Sequence, residues 1–271
     1  MTTSNKQQSD LVRDRFTRTV EAFGDYAVTY REKFAEELAR LVGARPTDRV
    51  ADLACGPGTL ALRFAERVRW VCAVDLTPAM LLRARRTAAE EGRSNLGFVL
   101  ADAQELPFPE GSLDIAVTSY SLHHIPDSAR VVREMARAVK PGGRVGIIDI
   151  LVPEDPKAAE AANRIERMRD PSHTRSLARS DFEKMLRDAG LRMTSGEVQG
   201  NPRSFDHWMH VAGWHRGDPV YAETRRLMEA TIADDLAGFH PQFSPPDAAK
   251  PGETPDIQMV NTAIFIAAEK G

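Results

Sequence analysis

Three carboxylates stand at or just beyond the ends of short apolar runs, where each could hold a different part of one ligand. Asp52 lies in the run Arg49–Ala54, which the turn Gly56-Pro57-Gly58 closes. Asp75 follows the run Trp70–Val74, 19 residues beyond Gly56. Asp102 and Ala103 follow the run Leu96–Leu100. Glycines at 56 and 58 let the backbone turn tightly and let a ligand approach it closely. The helix expected after them offers free N–H groups at its start. A carboxylate at 75 suits the two hydroxyls of a ribose. One at 102 suits an exocyclic amine, while the adjacent N–H donates to a ring nitrogen. Each part alone has an ordinary reading: a tight turn, an N-cap ahead of Thr77-Pro78, a cap on Gln104-Glu105. In series they describe an adenosine site.

Two nucleotide readings compete. Gly56-Pro-Gly58-Thr-Leu-Ala61 fits the dinucleotide fingerprint, which would make the chain an NAD(P)-dependent oxidoreductase. Asp52, however, is badly placed beside a pyrophosphate and suits an ammonium group. A ligand with adenine, ribose and an ammonium, and no phosphate, is S-adenosylmethionine, with S-adenosylhomocysteine as product.

The elements that must position these groups alternate. Apolar runs at Arg49–Ala54, Trp70–Val74, Leu96–Leu100, Leu113–Thr118 and Arg144–Val152 are separated by helical segments, with Pro141-Gly-Gly143 as a turn. This pattern predicts βαβ units and a parallel sheet covered on both faces. The fold class expected is α/β, a doubly wound, seven-stranded, mostly parallel Rossmann-like sheet with a helical lid. Residues 1–9 read as a disordered tail and Leu11 to about Leu41 as helical, interrupted by Gly24. Downstream, Pro156–Arg169 reads as a helix, and Ser180-Asp-Phe-Glu183 as a capping box opening another. Leu191–Val198 reads as a sixth strand, Phe205–Trp214 and Pro219–Leu236 as helices, Phe239–Asp256 as a loop and Met259–Ala268 as a final strand. The division expected is 1–45 for a tail and cofactor-covering helices, 46–152 for the cofactor-binding core, 153–258 for a helical substrate lid with the sixth strand, and 259–271 for the last core strand.

With 271 residues, 36 Lys and Arg against 39 Asp and Glu, and a net charge of −3, the chain is an ordinary globular protein without a large basic surface. A nucleic-acid substrate is therefore not expected. Cys55 and Cys72 are too few for a disulfide framework. No stretch approaches the ~20 apolar residues of a membrane span, and Met1–Asp10 lacks the apolar core of a signal peptide. The expected setting is the cytoplasm, and the expected partners are a small-molecule substrate and a second copy in a homodimer.

The series Val50-Ala-Asp-Leu-Ala-Cys-Gly-Pro-Gly58, Ala73-Val-Asp-Leu-Thr-Pro-Ala-Met80, Ala101-Asp-Ala-Gln-Glu-Leu-Pro-Phe-Pro109, Asp114-Ile-Ala-Val117, Leu122-His-His124 and Val139-Lys-Pro-Gly-Gly143 resembles the class I S-adenosylmethionine-dependent methyltransferases. It is most similar to the group related to the ubiquinone/menaquinone-biosynthesis C-methyltransferases. The resemblance implies that Asp52, Ala54 and Gly56 line the methionine part, with backbone contacts from Gly56 and Gly58. It implies that Asp75 holds the ribose, that Leu76 and Met80 sandwich the adenine, and that Asp102 and Ala103 read its edge. Ser119 or Tyr120 would lie near the sulfonium, and the last strand would be antiparallel. Phe23-x-x-x-Ala27-x-x-Tyr30 resembles the helix that closes over the cofactor, which places Tyr26 among the cofactor contacts. Arg169-Asp-Pro-Ser-His173 resembles a segment of uncharacterised members.

Methyl transfer is an in-line displacement whose leaving group becomes a neutral thioether, so positioning supplies much of the rate. A base is needed only where the nucleophile carries a proton. His123, His124 and Tyr120 are the candidate catalytic residues; packing and capping are their ordinary roles. His173, beside Arg169, Asp170 and Arg175, is a candidate for an anionic substrate, against the commoner reading of a solvated ion-pair cluster. Trp208 and Trp214, in the stretch Phe205-Asp-His-Trp-Met-His210 and beyond, are candidates for an apolar substrate pocket, against a buried helix face. His207, His210 and His240 are too sparse for a metal site, so no metal is expected. The acceptor expected is a carbon or oxygen of a small aromatic or quinol-like molecule. Small-molecule N-methylation is the alternative, and a cofactor-binding regulator without turnover is a third reading.

Overall fold

Short strands rich in Val, Ala and Ile, buried on both faces, need partners on both edges and helices above and below. The computed structural model, which describes residues 3–20, 33–245 and 254–271, builds that arrangement. Five strands run parallel: β1 (Arg49–Leu53), β2 (Trp70–Asp75), β3 (Leu96–Leu100), β4 (Leu113–Ser119) and β5 (Val139–Ile150). Two long strands complete the sheet, β6 (Leu191–Ser204) and β8 (Ile257–Lys270), with β8 antiparallel between β5 and β6. The order is β3-β2-β1-β4-β5-β8-β6, and a two-residue strand, β7 (Gln242–Phe243), pairs with β8 as an eighth member.

The period-2 alternation of the strands divides two cores. Ala51, Leu53, Cys72 and Val74 face α5 (Ser128–Ala138) and α7 (Arg179–Asp188), whose Val131, Met135 and Phe182 cover them. Val50, Val71, Ile115 and Phe265 face α2, described over 33–41, and α3 (Thr59–Ala65), through Leu38, Val42 and Phe64. Gly146 in β5 allows this close approach, since a Cβ there would meet Val42 at 2.8 Å. A third core lies beyond the sheet. It joins α6 (Pro156–Arg169), α8 (Phe205–Val211) and α9 (Pro219–Glu229) through Ile165, Phe205, Trp208 and Met228.

Several boundaries differ from expectation. Residues 3–18 form a helix, α1 (Thr3–Arg18), where a disordered tail is expected to reach residue 9. Its side chains are held: the Gln8 amide donates to the Ser172 carbonyl at 2.7 Å. The Pro141-Gly-Gly143 turn lies inside β5 as a bulge, because Leu113 pairs with Val139 and Ile115 already with Arg144. β6 continues past Val198 to Ser204 despite Pro202, which an edge strand tolerates. Helix α7 opens one residue before Ser180, with Asp181 rather than Glu183 accepting from the Ala178 N–H at 3.3 Å. The Ser180 hydroxyl instead donates to Glu154 at 2.6 Å. Tyr26 and the Phe23–Tyr30 segment lie outside the described residues.

Gly58 caps the start of α3 with φ +85°, and a Cβ there would stand 2.8 Å from the Ala84 Cβ of α4 (Pro78–Glu90). Gly58→Ala should therefore lower the unfolding free energy by about 1–3 kcal/mol. Urea unfolding checks this; an unchanged midpoint would show that neither the backbone angle nor the helix contact requires glycine.

Candidate functional site

All five parallel strands end on one side of the sheet, and β1 is the point where the order reverses, with β2 on one edge and β4 on the other. Ligands of doubly wound sheets bind at such a switch point. A cavity opens there, lined by the glycine turn, by Asp75, Leu76 and Met80, by Asp102 and Ala103, and by Ser119 and Tyr120. Asp75 organises it. One oxygen accepts from the Gly56 N–H at 2.8 Å and the other from the Thr77 N–H at 2.7 Å. Burial raises the Asp75 carboxyl above its usual range, and these N–H bonds only partly offset that. Asp102 accepts from the Gln104 N–H at 2.8 Å. Two non-glycine residues of the lining, Ala54 (φ +50°) and Tyr120 (φ +51°), sit in the left-handed region, a strain that functional sites commonly hold.

Two expected cofactor residues stand apart from this lining. Gly58 faces α4 and does not reach the cavity. Asp52 is buried below it; one oxygen accepts from the Ala61 N–H at 2.9 Å, and the other, Oδ1, has no partner among the described residues. Burial pushes its carboxyl well above the usual range.

A second cavity adjoins the first, and Phe16, Phe34, Tyr120 and His124 line both. His123 lines the second, and its Nδ1 is 2.5 Å from Asp149 Oδ1. Burial would raise the Asp149 carboxyl. The facing imidazole and the N–H groups of Ile150 and Leu122 outweigh it and hold the carboxyl below its usual range. Asp149 therefore keeps Nδ1 protonated and leaves Nε2 as the basic nitrogen. His124 Nδ1 lies 3.1 Å from the Ser172 carbonyl, which can only accept, so this ring too carries its proton on Nδ1. Ser172 in turn donates to Asp170, which faces Arg15 of α1.

Of the expected substrate residues, Trp208 lines the second cavity with the Arg169 guanidinium 4.3 Å over its ring. Trp214 does not line it. The indole N–H of Trp214 donates to the Arg169 carbonyl at 2.7 Å, a supporting contact. His173 lines neither cavity; it is buried behind His123, and its Nε2 donates to Asn163 at 2.9 Å. The segment Arg169–His173 is thus a buried brace and not a solvated ion-pair cluster. Asp149, Asn201, Arg203 and Asn261 escape the sequence reading. Asp149 left a signal, a lone acid ending the run Val145–Ile150. Asn201 and Arg203 lie in β6 beyond its predicted end at Val198, and Asn261 lies within the predicted last strand.

Among the described residues no group of three or more His, Cys, Asp or Glu could hold a metal ion, and no helix is long and apolar enough to cross a membrane.

A family profile described as a methyltransferase domain matches residues 50–143. The uncharacterized methyltransferase YcgJ of Bacillus subtilis is 33% identical over 222 residues, covering 82% of this chain and 86% of that protein. The 27-O-demethylrifamycin SV methyltransferase of Amycolatopsis mediterranei is 32% identical over 169 residues, 61% of each chain. The crystal structure of YcgJ superposes with a TM-score of 0.78 at 30% identity, over 87% of this chain and 97% of that one.

The buried imidazoles make stability depend on pH. Burial, with the neighbouring His123 adding to it, pushes His173 down to about 2 and His124 to about 4. Unfolded, each takes up a proton near pH 6.5. The unfolded state then binds more protons below that value, so stability falls as pH drops through 6.5. Between pH 7 and pH 5, His173 should cost about 2 kcal/mol, and His124, which opens on the cavities, less. Urea titrations at the two pH values should show this loss, with His173→Gln reducing the slope. An equal slope in the parent and in His173→Gln would contradict it.

Proposed function

The chain belongs to the class I S-adenosylmethionine-dependent methyltransferases, and we propose that it methylates a carbon or oxygen of a small aromatic or quinol-like molecule. The enzyme's cofactor is S-adenosylmethionine, and what it supplies when bound is an electrophilic methyl group on a sulfonium. The first cavity fits that group by its charge. Its described lining carries the acids Asp75 and Asp102 and no Lys or Arg, which suits a cation with a ribose and is hostile to a pyrophosphate. In this reading Asp75 accepts from the ribose hydroxyls and Leu76 and Met80 hold the adenine faces. Asp102 and Ala103 meet the adenine edge. Ala54, Gly56 and Ser119 border the methionine portion. Asp52, whose second oxygen has no partner among the described residues, stands in β1 just before the glycine turn, where an ammonium would favour its ionised form.

The observation that carries the proposal is the shared wall. Phe16, Phe34, Tyr120 and His124 belong to both cavities, so an acceptor in the second meets the first across aromatic side chains. His123 Nε2, backed by Asp149, would take up the proton that a carbon or oxygen nucleophile sheds on accepting the methyl group. Tyr120 and Trp208 flank the acceptor. Residues 153–258 act as its enclosure, through the outer end of β6 and through α8. Amine acceptors, the alternative, would enter a cavity lined by Arg15, Lys33, Arg169 and Arg203 and be repelled when protonated.

Incubation with methyl-labelled S-adenosylmethionine and a panel of phenols, quinols and amines should place label in phenolic or quinol products. Label confined to amines would overturn the assignment. Asp75→Ala should weaken cofactor binding at least tenfold by calorimetry; an unchanged Kd would remove the ribose role. His123→Ala should lower kcat by about 10²–10⁴-fold with cofactor Kd unchanged, and Asp149→Asn should lower it less. Full turnover in both would leave positioning alone as the source of rate.

A further inference from the structure

The two adjoining cavities carry opposite charge. In the first, Asp75 and Asp102 stand without a Lys or Arg among the described lining residues. Among the described lining residues of the second, Arg15, Lys33, Arg169 and Arg203 face one carboxylate, Asp170. The chain as a whole is net negative, so this segregation is local. We propose that the second cavity is a binding site for an acidic acceptor, one whose carboxylate or phosphate is held by Arg203 and Arg169 while its nucleophilic atom lies toward Tyr120 and His123. This rests on the methyl-transfer reading above.

Arg169 is presented rigidly. Its guanidinium stacks on Trp208 at 4.3 Å, its Nε donates to the Trp208 carbonyl at 3.2 Å, and Glu166 holds its far side at 3.2 Å. A guanidinium fixed in this way can meet a planar anion with little loss of freedom. Arg203 stands on the outer end of β6 and lines the cavity beside Asn201 and His207. Asn201 and Asn261 pair across β6 and β8, and both line the cavity. The side-chain oxygen of Asn261, on a residue only 7% exposed, has no partner among the described residues. A hydroxyl on the acceptor would donate to it, so the site asks for a donor as well as a charge. The physical logic also suits the chemistry. Cations on the acceptor side favour the deprotonated nucleophile, and acids on the other side favour the sulfonium.

The test uses the full chain loaded with S-adenosylhomocysteine, titrated by calorimetry with 2-naphthoate, 2-naphthyl phosphate and the neutral 2-naphthylmethanol. At least one acid should bind tenfold or more tightly than the alcohol, and comparison of the two acids identifies the anion. Arg203→Met should abolish the preference, Arg203→Lys should retain part of it, and S-adenosylhomocysteine affinity should not change. Equal binding of alcohol and acids, no binding of either acid, or a preference that survives Arg203→Met would overturn the inference. Should Arg203→Met melt well below the parent, the parent series and Arg203→Lys decide. A chain that fails to bind S-adenosylhomocysteine would sink the methyl-transfer reading instead, and the acid series repeated without that ligand judges the anion site separately.

Discussion

Asp75 joins the end of β2 to the turn that follows β1, because its two oxygens accept separately from Gly56 and Thr77. Parallel strands must be connected by distant helices, so their carboxyl ends would otherwise carry loops with no reason to agree. A buried carboxylate receiving N–H groups from two of those loops makes them one surface. The first cavity depends on that agreement, and Tyr120, whose N–H donates to the Ile148 carbonyl at 2.7 Å, borders it and the second cavity.

The price of such a surface is strain and buried charge. Ala54 and Tyr120 hold left-handed backbone angles, and Asp52 and Asp75 sit in surroundings that disfavour their ionised forms. Both features cost free energy in the folded protein and are held because the two cores, one on each face of the sheet, over-determine the loops. The His123–Asp149 pair and the brace from Arg15 through Asp170 and Ser172 to His124 serve the same end on the other side of Tyr120.

The second cavity is built differently. Its floor is the outer end of β6 and β8, its sides are α1 and α8, and its charge comes from arginines spread from residue 15 to residue 203. The methyltransferase-domain match spans 50–143, whereas Arg15, Lys33, Arg169 and Arg203 of this wall lie outside it. The charge of the second cavity is therefore carried by residues outside the matched domain, while Tyr120 and His124 within it line both cavities.

Much of the first cavity was legible before any coordinates. Asp75, Asp102 and Gly56 lie within a few residues of apolar runs whose length and alternation identify them as strands, and a strand end is a place the sequence pattern can locate. Five parallel strands, the existence of a last strand and helix α6 follow from the same local periodicity, and the antiparallel direction of that last strand from the family resemblance. The limits of β6 did not, because Gly200-Asn-Pro202 reads as a break, and only pairing with β8 keeps that segment extended. His173 and Trp214 looked like ligands because their residue types can bind ligands; burial and hydrogen bonding to Asn163 and Arg169 decide otherwise. The sequence by itself determined a fold class and the strand-end residues that line the first cavity, since both rest on short-range patterns repeated in order. Tertiary structure alone decided which histidine faces Asp149, which arginines share a wall and where that wall meets the cofactor cavity, because those neighbours are distant in the chain and only packing brings them together.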